Sequence, residues 1–249
     1  MDRMLYVAMS GASQNTLAMQ AHANNLANIS TTGFRRDFEQ ARAMPVFGDS
    51  FPARVFAMSE RPATDFTAGS LQETGRDLDV AAKGNAWIAV QAPDGGEAYV
   101  RTGSLEIDAF GQLRTGDGLP VMGNGGPIAV PPEEKVEIGE DGTITIRGQG
   151  NNPNALASVD RIKLVTPDPK QLEKGADGLV RVKKQPGQQA LQADANASVQ
   201  SGFLESSNVN AVEEMTSILA LSRQFELHVK MMRTAEDDSA AMARVLQFS

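Results

Sequence analysis

Two long stretches of helical character at opposite ends of the chain, separated by a Gly-rich body of short strand-like runs, constrain this sequence more than any other feature. In the first stretch Leu5, Ala12, Met19 and Leu26 recur every seven residues, and Met1 and Ala8 begin a neighbouring row that continues as Asn15 and His22. In the second, Ile218, Phe225, Met232 and Leu246 keep the same period, weakened at Ser239 and flanked by Met215 and Val229. A seven-residue apolar period marks helices that pack along one another as a coiled coil. The rows are thin, however, with Ala and Met where a self-sufficient zipper carries Leu or Ile. Each helix alone is therefore marginal in water and gains its order from neighbours. Methionine suits such a surface because its flexible side chain adapts to non-identical partners. Met1, Met4, Met9 and Met19 gather in one end helix, and Met215, Met231, Met232 and Met242 in the other.

Capping residues set the expected ends. The first helix should reach Ala27, about 40 Å at roughly 1.5 Å per residue, and stop at Ser30-Thr31-Thr32-Gly33 with Gly33 in a left-handed turn. The second should start behind Asn208 or Asn210, with Glu213 three residues after Asn210 in a capping-box spacing, and run to about Gln247. Between them, strands are expected at 87–90, 98–101, 105–107, 128–130, 136–138, 143–146, 161–165 and 179–182. The turns at Asp94-Gly95-Gly96, Asn124-Gly125-Gly126-Pro127, Asp141-Gly142 and Asp177-Gly178 separate them. The fold class is thus mixed α and β: N- and C-terminal helices pairing as a coiled coil, with a mainly β central body. Residues 1–35 and 205–249 form the helical domain in this reading, and 76–204 the β-rich domain, built as one domain or two. Residues 36–75, with Phe47, Phe51, Phe56 and Phe66 scattered among Pro45, Pro52 and Pro62, read as an extended segment that wraps another surface. Exposed loops are expected at 148–158 and 184–198.

Composition excludes several classes of function. The net charge is −8 and the pI about 4.9, an acidic balance that lacks the basic face a nucleic-acid binder needs. There is no cysteine, hence no disulfide or thiol chemistry. No run of 18 apolar residues exists to span a membrane. The first apolar run breaks at Ser10 and Gly11, so no cleavable secretory signal is expected. The only histidines, His22 and His228, lie one in each end helix, too few for a metal site without further ligands and better read as packed or surface residues. Asp77 and Asp79 share a strand face but sit where a loop enters a sheet, and Gly123-Asn124-Gly125-Gly126 lacks the Lys-Ser/Thr of a phosphate cradle. No nucleophile or metalloprotease motif is present. The expectation is a protein without catalytic residues, metal or cofactor.

Three blocks carry a resemblance to a known family. Asn24-Asn25-Leu26-Ala27-Asn28-Ile29-Ser30-Thr31-Thr32-Gly33-Phe34-Arg35-Arg36 resembles the N-terminal signature of bacterial flagellar rod and hook proteins. Ser201-Gly202-Phe203-Leu204-Glu205-Ser206-Ser207-Asn208-Val209-Asn210-Ala211-Val212-Glu213-Glu214-Met215 resembles the signature at their other end. The stretch from Leu71 to Val90, followed by Tyr99-Val100-Arg101-Thr102-Gly103, is similar to the body shared by the hook and the longer rod subunits. Within the family the likeness is to the proximal-rod subunits, carried by Trp87-Ile88-Ala89-Val90 and Ser222-Arg223-Gln224-Phe225-Glu226, with the distal-rod subunits as the alternative. Ala82 and Ala86 depart from the commoner residues at their positions.

The resemblance implies a structural subunit of the flagellar drive shaft. Its terminal helices would pair into an inner tube, its β body would form the outer layer, and it would cross the periplasm as part of the rod. Its partners would be other rod subunits, proximal and distal, copies of itself, and the flagellar type III export apparatus, which takes subunits without a cleavable signal. The rival class is a periplasmic enzyme acting on peptidoglycan. The expected assembly interface comprises Leu5, Ala12, Met19, Asn24, Asn25, Leu26, Asn28, Gly33 and Phe34, with Asn208, Asn210, Met215, Ile218, Phe225, Val229 and Met232. Asn24, Asn25 and Asn28 are expected to bond backbone groups of adjacent subunits.

Overall fold

The computed structural model describes residues 2–45, 55–131, 133–148, 156–183 and 190–247. The chain divides into two compact units. One comprises Met1–Ile29, Arg36–Asp65 and Val209–Ser249; the other comprises Ser30–Arg35 and Phe66–Asn208.

The first unit holds two helices, α1 (Asp2–Ala27) and α2 (Ala211–Gln247), with two strands, β1 (Asp37–Pro45) and β2 (Val55–Thr64). α1 and α2 pack on each other. They run antiparallel, since His22 meets Glu214 while Gly11 meets His228. Ala8, Ala12, Ala18 and Asn25 are buried on α1, and Glu214 and Ala235 on α2. The imidazole of His228 lies over Gly11, where an added Cβ would stand 2.5 Å from its Cε1. Small residues thus let the two backbones approach. Asn210 caps α2: its Oδ1 accepts from the N–H of Val212 at 3.0 Å and of Glu213 at 3.5 Å.

The segment expected to be extended wrapping chain contains an antiparallel ribbon. β1 pairs with β2 from Asp37↔Thr64 to Pro45↔Val55, with a bulge between Phe38 and Gln40. The ribbon packs on α1. α1 therefore buries more than one row. Of the seven-residue row, Ala12 is buried while Leu5, Met19 and Leu26 are half-buried, because α2 and the ribbon both press on the helix. Met1, Phe47, Phe51 and the side chains of Phe56 and Leu246 lie outside what is described.

The second unit is nearly all β. Its strands are β3 (Leu71–Glu73), β4 (Asp79–Ala82), β5 (Trp87–Gln91), β6 (Glu97–Val100), β7 (Thr102–Ile107), β8 (Leu113–Thr115), β9 (Glu133–Ile138) and β10 (Thr143–Gly148). They continue as β11 (Leu156–Arg161), β12 (Leu164–Val165), β13 (Leu172–Lys174), β14 (Val180–Val182), β15 (Val199–Ser201) and β16 (Phe203–Glu205). The sheets are β12-β5-β6-β14-β13, β15-β4-β7-β8, β11-β10-β9 and the pair β16-β3, with every recorded pairing antiparallel.

β5 shows why its sequence is a continuous apolar run. Ile88 and Val90 enter one core with Leu105, Leu113, Ile144 and Leu164, while Trp87 and Ala89 enter another with Tyr99, Val165 and Leu172. Both faces are buried, so the usual polar alternation is absent. Two expected strands differ. The run 161–165 is divided between β11 and β12, which belong to different sheets. Residues 128–130 make isolated bridges only, through Ala129 to Gln112, with Pro127 bridging to Met122. Pro127 and Pro131 lack the N–H that would extend a ladder on either side. The expected loops at 148–158 and 184–198 fall partly outside the described residues, and 156–158 begins β11.

Candidate assembly surface

In the helical unit, apolar side chains remain uncovered on both helices. On α1 these are Met4, Tyr6, Met9 and Leu17; on α2, Val212, Met215, Leu219, Phe225, Leu227, Met231 and Met242. Val212, Met215 and Leu219 recur at i, i+3 and i+7 and so share one face. Ile218, Val229 and Met232 are half-buried. An apolar face of this extent is uncommon on a lone soluble helix and marks a contact surface.

The asparagines of the first signature are engaged within the chain. Asn25 donates from Nδ2 to the Asp37 carbonyl at 2.9 Å, and its Oδ1 accepts from the Asp37 N–H at 2.9 Å. Asn28 donates to the carbonyl of Asn24 at 2.9 Å and to its Oδ1 at 3.1 Å. The expected bonding of these amides to a neighbouring subunit is thus replaced by bonding at home: Asn25 is buried beside β1 and mimics a strand partner there. Asn24 stays exposed.

A polar network that sequence reasoning missed closes the end of the helix pair. Glu214 is buried and lies 2.5 Å from His22 Nδ1, 3.4 Å from Asn25 Nδ2 and 4.0 Å from Arg36. Arg36 also reaches Glu213 at 3.1 Å and Asp65 at 3.5 Å, and stacks over Phe38. His22 and His228 do not meet.

The β unit contains a second network, also unforeseen. Glu205 is fully buried and its Oε1 accepts from Arg35 and from the N–H of Gly69 at 2.8 Å. Its Oε2 accepts from Arg101 Nε at 3.0 Å. Arg101 donates further to the carbonyls of Ala86 and Ala82. Both guanidinium groups lie over the Trp87 ring, 5.8 and 5.5 Å from its centroid, and Phe66 meets the same ring edge-on at 6.0 Å. Burial lowers the Arg101 pKa from its ordinary value, and Glu205 acts in the opposite direction.

Gly33 adopts φ +69°, and its N–H donates to the Glu205 carbonyl at 2.8 Å. Lys174 sits 3.9 Å over the Phe34 ring. Asn208 donates its N–H to the Phe34 carbonyl at 3.4 Å and its Nδ2 to the Thr67 carbonyl at 3.1 Å. Gly33, Phe34 and Asn208, expected at an interface, are therefore brought together around this cluster.

Three family descriptions match along the chain: "Flagella basal body rod protein" at residues 5–35, "Flagellar hook protein FlgE/F/G D1 domain" at 81–146, and "Flagellar basal body rod FlgEFG protein C-terminal" at 200–245. The flagellar basal-body rod protein FlgF of Escherichia coli is 41% identical over 252 residues, covering 100% of both chains. The chain belongs to the flagellar basal-body rod protein family. FlgF of Salmonella typhimurium is 39% identical, again over 100% of both chains. FlgG of Buchnera aphidicola from Schizaphis graminum is 29% identical over 93% of this chain and 95% of its own. The likeness within the rod family is thus greater to FlgF than to FlgG.

The matched segments meet the geometry in one place. Arg35, Arg101 and Glu205 come one from each of the three, so the buried triad joins all the stretches by which rod proteins are recognised. Each residue stood within a quoted block of the sequence. No spacing rule pairs an arginine with a glutamate 170 residues away.

Proposed function

We propose that this chain is a structural, non-catalytic subunit of the proximal rod of the flagellar basal body, one piece of the shaft that carries torque to hook and filament. The observation that supports this most is the full-length match to a FlgF protein at 41% identity. The physical support is the apolar surface left on α1 and α2. Helices paired by Ala8, Ala12 and Gly11 at one face, with Tyr6, Leu17, Met215 and Leu219 open at others, suit a tube in which each pair is completed by its neighbours. Screw-related contacts of that kind are heterologous and build open filaments.

In this reading Leu5, Met19, Leu26, Met215, Ile218, Phe225, Val229 and Met232 form the contact surface with copies of the chain and with other rod subunits. The subunit is exported by the flagellar type III apparatus and sits in the part of the rod that crosses the periplasm. Among the described residues no helix is long and apolar enough to cross a membrane, and no group of three metal-ligating side chains occurs. A distal-rod subunit is the second reading, favoured by the FlgG match across 93% of the chain.

Quantitative mass spectrometry of detergent-purified basal bodies, with the filament removed by acid, tests the proposal. The expected result is this chain at low copy number in the rod fraction. A copy number several-fold higher would move it to the distal rod. Its absence from basal bodies that contain the other rod proteins would overturn the assignment.

A further inference from the structure

The β unit carries one aromatic side chain that nothing in the chain covers. Phe110 is 94% exposed, at the tip of the turn between β7 and β8. The turn that carries it is held firmly. Asp108 Oδ1 accepts from the N–H groups of Phe110 at 2.9 Å and Gln112 at 2.8 Å, and its Oδ2 accepts from Arg114 Nε at 2.7 Å. The N–H of Gly111 donates to the Asp108 carbonyl at 2.9 Å, and the Gly111 carbonyl accepts from Val130 at 2.6 Å. A loop with no task would not need five bonds to hold a phenyl ring in water.

The same unit has a cavity of about 270 Å³ lined by Phe66, Trp87, Pro167, Pro169, Leu172 and Arg101. A dry apolar cavity of about 150 Å³ accepts benzene, so this one has room for a phenyl side chain. It falls below the roughly 300 Å³ at which pockets begin to enclose drug-sized ligands. The charges at the two places are also complementary. Glu106 and Asp117 are exposed on the hairpin, and Lys170 is exposed beside the cavity's Pro169.

We propose that Phe110 of one copy inserts into the Trp87–Leu172 cavity of a second copy. The contact rests on the rod-subunit reading and adds to it a specific bond between β units. Knob and hole occupy different places on one body, so the contact is heterologous and propagates instead of closing.

The absence of native cysteine makes the test direct. Ala109→Cys beside the knob and Ala68→Cys at the cavity mouth, combined in one full-length chain, keep Phe110 in place; Ala68 is among the cavity's lining residues. Under mild oxidation the purified double variant should give a ladder of disulfide-linked multimers on a non-reducing gel, while each single variant stops at a dimer. Adding Phe110→Ala should abolish the ladder. A ladder that never forms, or one that survives Phe110→Ala, overturns the proposal. The readout does not need a rod. If the ladder fails while the chain is present in basal bodies, the knob falls and the rod subunit stands. A Phe110-dependent ladder from a chain absent from basal bodies would remove the rod reading and leave the contact between copies.

Discussion

Glu205 is where a single residue matters most. It holds two guanidinium groups in a site where all three side chains are almost wholly buried. Removing one partner of such a set leaves uncompensated charge in the interior, at a cost of about 3–5 kcal/mol. Glu205→Ala should therefore lower the stability of the β unit by about that much, read as a fall in the urea midpoint of tryptophan fluorescence, since Trp87 is the only tryptophan and sits under the triad. An unchanged midpoint would mean that the triad contributes nothing to folding. Acid should act through other carboxylates. Asp108 is held below its ordinary pKa first by the N–H of Gln112, Asp141 by the Thr143 hydroxyl, Asp177 by Arg181 and Asp194 by the N–H of Asn196. Each folded pKa lies below its unfolded value, so the unfolded chain takes up protons first as pH falls. The stability these groups supply is present above about pH 4 and is lost as pH drops through the folded values. The urea midpoint should be lower near pH 3 than at neutrality, and Asp108→Asn should flatten part of that slope. These networks were not legible beforehand, because burial and long-range charge pairing leave no periodic trace in a sequence.

Elements were more legible where their signals are local. Asn210, Glu213 and Gln247 bound α2 in the sequence as in the structure, since capping involves only neighbouring backbone groups. Asn210→Ala should cost the helix pair about 1 kcal/mol. The α1–α2 contact itself depends on Gly11, over which His228 lies at a distance that no Cβ tolerates. Gly11→Leu should force the imidazole out and lower the helical melting midpoint followed by circular dichroism; an unshifted melt would show that the helices do not need this approach. Short strands were the less legible elements. β3, β4, β8, β15 and β16 were not anticipated, and the run 161–165 was taken as one strand. Three or four residues carry too little pattern to announce themselves, and which sheet a strand joins depends on partners far away in sequence, such as Gln200 opposite Ala81.

At the scale of the whole molecule the central expectation concerns assembly. Met215 is 52% exposed on α2. Met215→Asp should leave the stability of the isolated chain within about 0.5 kcal/mol, as for other surface changes, while excluding the variant from basal bodies in a motility-complementation assay. Leu26→Asp should also block assembly, with the β unit still folded by tryptophan fluorescence. A Met215→Asp variant that builds working rods would remove α2 from the contact surface. The sequence by itself determined the arrangement of helix, β body and helix, the capped ends of α2, the apolar period of both helices and the family, because each rests on local order along the chain. Only the tertiary structure decided which helix faces are covered at home and which are left open. It alone made Asn25 an internal partner of β1, gathered Arg35, Arg101 and Glu205 around one ring, and left Phe110 standing in solvent. Burial is a property of what packs against a residue, and that is fixed by contacts between segments that the order of residues does not place side by side.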